Sequence, residues 1–157
     1  MKKAVLGLWL SLSIQVAAQS ASAPSAASNP KVRAITAFVR LDGATYEKQI
    51  TEALVVLRDA KREFESAGYQ VETVRITTQP LAELVAGMTE EQGFGFLTRL
   101  DQLSVKEDFL PNVGPAMMSD GDDPATMRLL ERALSTLPNI EASTVIAGDD
   151  GMNFIKT

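Results

Sequence analysis

The sequence predicts an α/β protein built from parallel βαβ units, and three observations carry that expectation. An apolar, β-branched run, Val32 to Leu41, is followed by a long amphipathic helical pattern and then by a second strand-like run, Tyr69 to Thr78. Strand followed by helix then recurs, down to a last apolar run at Ala142 to Ala147. Parallel neighbours need a crossover of a dozen or more residues, usually a helix, and each intervening segment here is that long. The order describes helices covering a sheet.

Val32 to Leu41 reads as a strand buried on both faces, and Asp42 and Gly43 break it. Thr45 is placed to cap a helix running to Ala67. Tyr46, Ile50, Ala53, Leu54, Leu57, Ala60, Phe64 and Ala67 recur at three- and four-residue steps and share one face. Gly68 stands where a left-handed residue closes a helix. Tyr69 to Thr78 alternates Val71, Thr73 and Arg75 against Glu72, Val74 and Ile76, a strand pattern over 70–78. Pro80 opens a short helix that Gly87 stops. Thr89 caps the next helix, with Glu90 and Glu91 suiting its amino-terminal dipole. Phe96, Leu97, Leu100 and Leu103 form its apolar face, and Gly93 and Gly95 within it predict close backbone packing. A third strand, 109–118, is interrupted by Pro111 and by Gly114 and Pro115. Asp123 and Pro124 start a last helix to Leu137, with Met127, Leu130, Ala133 and Leu134 inward, before the strand at 142–147.

Ahead of this domain, Lys2 and Lys3 precede an apolar stretch from Ala4 to Ala17, and Val16, Ala17 and Ala18 are compact. That order is a secretory signal peptide, best cleaved after Ala18, and the apolar run is shorter than the roughly 20 residues of a spanning helix. The expected location is therefore the periplasm or the medium, with membrane attachment only through an uncleaved signal. Residues 19–30 are mainly Ala, Ser and Pro and form a flexible leader, so the α/β domain occupies 31–157. Cleavage removes Lys2 and Lys3, leaving thirteen basic against twenty acidic residues, a net charge of −7. Such a chain is not expected to bind nucleic acid. Neither Cys nor His occurs. This excludes disulfides, the nucleophile pairs that use His, and the usual zinc ligand sets. Catalysis is left to carboxylates, Lys, Arg, Tyr, Ser, Thr and backbone amides.

Candidate binding residues follow from the parallel arrangement, in which loops beyond the carboxyl ends of the strands build the ligand crevice. Asp42, Asp120, Asp122, Asp149 and Asp150 would all lie at that one rim. Asp120, Asp122 and Asp123 could hold a hard cation, but their spacing is not that of a calcium loop and no glutamate closes it; a helix cap and a solvated turn are the better reading of the same residues. No metal site is assigned. Arg75, inside a strand, needs either a carboxylate partner or a cleft with an anionic ligand, because burying it alone is costly. Gly148 and Gly151 lack the lysine of a phosphate loop, and no cofactor is indicated.

The runs Lys31 to Thr36, Val74 to Pro80, Asn112 to Pro115 and Gly151 to Asn153 resemble, in that order, a bacterial and archaeal domain-of-unknown-function family, number 711. The likeness spans Lys31 onward and matches the amino-terminal part of longer members. It implies part of an incomplete α/β barrel like that of glycyl radical enzymes such as pyruvate formate-lyase. It implies no catalytic residues, because no family activity is established and nothing here corresponds to the glycyl radical segment. Two readings of function stand: an exported enzyme acting on a small polar substrate at an acidic rim, or a non-catalytic binding domain or fragment without independent activity. An open apolar edge would further predict self-association.

Overall fold

The computed structural model describes residues 29–119, 121–148 and 151. The expected signal peptide, most of the leader, Asp120, Asp149, Asp150 and the run from Met152 lie outside them. Eight elements follow in order: β1 (Val32–Phe38), α1 (Tyr46–Ser66), β2 (Val71–Pro80), α2 (Leu81–Leu84), α3 (Glu90–Glu107), β3 (Leu110–Gly114), α4 (Ala125–Thr136) and β4 (Glu141–Ala142). The four strands form one open sheet in the order β1-β2-β3-β4, every neighbouring pair parallel. The fold is thus α/β, made of parallel βαβ units as the sequence predicts.

The strand order never reverses, and this decides where the helices go. Crossovers in a parallel sheet share one hand, so strands added always on the same side carry their helices to the same face. Side-chain alternation confirms it. Ile35, Ala37 and Val39 from the β1 segment, Val74 and Ile76 from β2, Val113 from β3 and Ala142 from β4 all join a single core. That core also takes Ile50 and Leu54 from α1, Leu81 and Leu84 from α2, Phe96, Leu97 and Leu100 from α3, and Leu130 and Ala133 from α4. Fully burying one such side chain stabilises by about 1.5–3 kcal/mol, so this one layer dominates the stability. The opposite face of the sheet has no helix over it among the described residues.

Local chemistry explains most boundaries. Thr89 accepts the Gln92 backbone N–H while the Gln92 side chain accepts that of Thr89, a complete capping box for α3. Gly68 ends α1 at φ +85°, as expected of a left-handed closing residue. Asp101, 6 % exposed, accepts the Asn139 N–H at 2.9 Å and so ties α3 to the turn ahead of β4.

Other expectations are corrected. Thr45 does occupy the N-cap position ahead of α1, but its side chain makes no capping hydrogen bond. Phe64 is 42 % exposed: near the end of α1 its ring packs edge to face with Tyr69, just past the helix, and lies outside the core cluster. Leu134 is exposed and Leu129 buried in its place. Packing of α4 on Gly93, whose added Cβ would meet Leu129 at 3.1 Å, sets that rotation. Gly95 has only the mobile Arg99 side chain near it and needs no small residue. The run Val32–Leu41 is not covered on both faces: β1 is an edge strand, it ends at Phe38, and that ring is 82 % exposed. β3 stops at Gly114 because Pro115 lacks an N–H to continue the ladder. For the same reason β4 is only Glu141–Ala142, although the chain stays alongside through Ala116 N–H to Ser143 O and Val145 N–H to Met117 O.

Candidate functional site

The helix-free face of the sheet carries the chemistry. Cross-strand register sets two rows on it: Thr36, Arg75 and Leu110, then Phe38, Thr77, Asn112 and Glu141. The second row crosses all four strands, roughly 14 Å at the usual strand spacing. Arg75 reaches across β3 so that its Nη2 donates to Glu141 Oε2 at 2.9 Å, with the arginine side chain 23 % exposed. The contact engages one prong of the guanidinium. Arg75 Nε and Asn112 Oδ1 are buried and have no hydrogen-bond partner among the described residues, and Thr144 Oγ1 is a third such atom. Buried polar atoms are nearly always paired, and an unpaired one costs about 1–3 kcal/mol, so a donor and an acceptor left together call for an explanation.

A cavity of about 200 Å³ adjoins this face at the carboxyl ends of β1 and β2, lined by Phe38, Thr77 and Gln79 among others. The Gln79 side-chain amide pins its wall, donating to Leu41 O at 2.7 Å and accepting Leu41 N–H at 2.9 Å. A larger cleft, about 360 Å³, opens at the other end of the sheet beside Lys61, Glu72, Asp108 and Asn139. Parallel sheets present ligands at the carboxyl end of their strands, and Lys61 and Glu72 are already matched with Glu65 and Lys31. The smaller cavity is therefore the better placed.

The described candidates divide by what holds them. Asp42 follows β1 and accepts the Ala44 N–H at 2.8 Å, a turn contact. Asp122 follows β3, two strands away. It accepts the N–H groups of Met118 and Ser119 and the Ser119 hydroxyl. The bond from Met118, then those from Ser119, hold its carboxyl below the usual carboxylate range. Asp123 accepts the Ala125 N–H at the start of α4. Asp120, Asp149 and Asp150 lie outside the described residues. Arg75 does have the carboxylate partner that its strand position demands. Glu141, Asn112 and Thr77 were missed as site residues. The period-two placement of Arg75 and Thr77 was a usable signal, but Asn112 and Glu141 enter only through the register.

Among the described residues, no three His, Cys, Asp or Glu side chains converge as a metal-binding group, and no helix is long and apolar enough to cross a membrane. A search among curated proteins finds no match for the chain. Over residues 26–156 it does match the model of the family described as Uncharacterised ACR (DUF711). Lys31 to Thr36, Val74 to Pro80 and Asn112 to Pro115, the runs that build the open face and its margins, all fall inside that match, and the chain belongs to this family.

Proposed function

We propose that the protein is exported and cleaved after Ala18, and that it binds a small polar ligand between the helix-free face of its sheet and the carboxyl rim. The observation that carries this reading is the pair of buried atoms, Arg75 Nε and Asn112 Oδ1, that find no partner among the described residues, on a face over which those residues place no helix. Arg75 and Asn112 supply the donor and the acceptor, Glu141 orients the guanidinium, and Asp42 and Asp122 stand at the carboxyl rim. The strand order supports kinship with an α/β barrel of the glycyl radical enzyme type, since that order and one-sided helices are what barrel closure requires. On that kinship, the helix-free face is the interior wall and the ligand is an enzyme substrate.

One observation favours the non-catalytic reading of the rim. A carboxylate kept ionised by three donors, as Asp122 is, makes a weak base and a poor acid. Binding and catalysis separate in one experiment on the chain from Gln19 onward. Thermal melting is followed with calcium, magnesium, manganese and a panel of polar metabolites, because selective binding to the native state raises the melting temperature. A saturable rise that vanishes in Arg75→Met supports the site. No rise with any compound, or one unchanged in Arg75→Met, overturns it. Turnover of the stabilising compound then decides between enzyme and binding domain.

A further inference from the structure

Resting on that reading, we propose that the ligand of the helix-free face is a neutral sugar, held by Phe38, Thr77, Asn112, Arg75 and Glu141. Three features of the site select this chemistry. Its charges cancel, because the one guanidinium is already paired with Glu141 at 2.9 Å. An incoming carboxylate or phosphate would meet the Glu141 charge in a chain whose overall balance is acidic, so anions are disfavoured. Divalent cations find no converging carboxylates among the described residues of this face.

The polar groups are of mixed type. Arg75 Nε offers a donor, Asn112 Oδ1 an acceptor, and the Thr77 hydroxyl lies between Phe38 and Asn112 in the same cross-strand row. Vicinal hydroxyls of a sugar both donate and accept, and so can satisfy this set together. Simple amines or carboxylates cannot.

The third feature is Phe38. A phenylalanine 82 % exposed on a strand is unusual, and this one sits at the end of the polar row and lines the adjoining cavity. An aromatic ring beside mixed donors and acceptors matches the two sides of a pyranose, one rich in C–H and the rim rich in hydroxyls. The row is long enough, at roughly 14 Å, for more than one ring. Sugar binding at Asn112 and Arg75 requires side-chain rotations that uncover both atoms, which are buried in this structure.

The test uses the chain from Gln19 onward and saturation-transfer NMR, with glucose, galactose, mannose, xylose, maltose and cellobiose as probes. Malate, citrate and inorganic phosphate serve as anionic counterparts. The expected result is saturable binding of at least one sugar, weakened about tenfold or more by Phe38→Ala and by Asn112→Leu, with no binding of the anions. Phe38 is exposed, so its replacement leaves folding intact, and cooperative melting of each variant checks this. Anion binding lost in Arg75→Met, without sugar binding, overturns the sugar assignment and leaves the polar-ligand reading standing. Absence of binding by every probe defeats the sugar, and the broader metabolite panel then judges the wider reading. Sugar binding unchanged in both variants removes it from this face. Concentration-dependent self-association abolished by Phe38→Ala, without sugar binding, makes the face a contact between copies and overturns the proposal.

Discussion

Gly114 shows how much a single backbone position can demand. It ends β3 beside the irregularity in β2 between Thr77 and Pro80, where its N–H donates to the buried Thr78 hydroxyl at 3.1 Å. A Cβ there would lie 2.4 Å from the Gln79 carbonyl oxygen and 2.8 Å from Pro80 N, both backbone atoms. Gly114→Ala should therefore destabilise the fold by about 1–3 kcal/mol or more through overpacking. Urea unfolding checks this, and a variant within about 0.5 kcal/mol of the parent would show that β2 yields there. The sequence marks Gly114 as a break in a strand but hides the reason, which lies 35 residues earlier in another strand. Arg75 teaches the same lesson. Its need for a carboxylate is plain from its place in an apolar strand, whereas the choice of Glu141 depends on register across β3. Asp122 adds a pH dependence. Its folded-state pKa is depressed, so the contribution is complete above the unfolded value and is lost as pH falls through the folded one, below the ordinary carboxylate range. Following the amide signals of Met118 and Ser119 by NMR should place their midpoint there. A midpoint at the ordinary value would contradict the three bonds.

At the scale of elements, helices were easier to read than strands because their signal is longer. The three- and four-residue spacing of α1 holds from Tyr46 to Leu57, and Thr89 with Gln92 announces α3. Errors occur where tertiary geometry overrides the pattern: Phe64, which packs on Tyr69 outside the core, and the turn of α4 that exchanges Leu134 for Leu129. The β1 run reads as an interior strand because β-branched apolar residues serve an interior strand and a one-sided edge strand equally well. The two glycines of α3 turn this distinction into an experiment. Gly95→Ala meets only the Arg99 side chain, at an ordinary contact distance of 3.6 Å, and should stabilise the helix by up to about 1 kcal/mol, whereas Gly93→Ala must push on Leu129 and should give no gain. Paired thermal melts compare them. Equal effects would mean that α3 and α4 are less closely packed than the 3.1 Å approach implies.

For the whole molecule, the strand order is the governing fact. It was legible as alternating strands and helices, but the consequence, a polar face with no helix on it among the described residues, needed the order in space as well as along the chain. The candidate site was correspondingly half visible: Arg75 stood out, while Asn112 and Glu141 did not. Export is tested independently of the fold. Intact mass of protein recovered from the periplasm or medium should correspond to a chain beginning at Gln19, and exported material retaining Met1 would refute cleavage.

Because each strand among the described residues pairs only with its neighbours in the chain, this sheet is a stack of consecutive units. β2 is gripped on both sides, over six register pairs with β1 and four with β3, and its Ile76 is 1 % exposed. β4 is held by two. Opening should therefore be graded, with rupture starting at the last unit and reaching β2 only on global unfolding. Native-state hydrogen exchange would record this as amides of β2 exchanging at the global rate, those of β3 faster, and those around Ala142 to Val145 fastest of all. The residues that hold Arg75 in place would then be the first to let go, so Glu141 can release its guanidinium without the rest of the sheet coming apart.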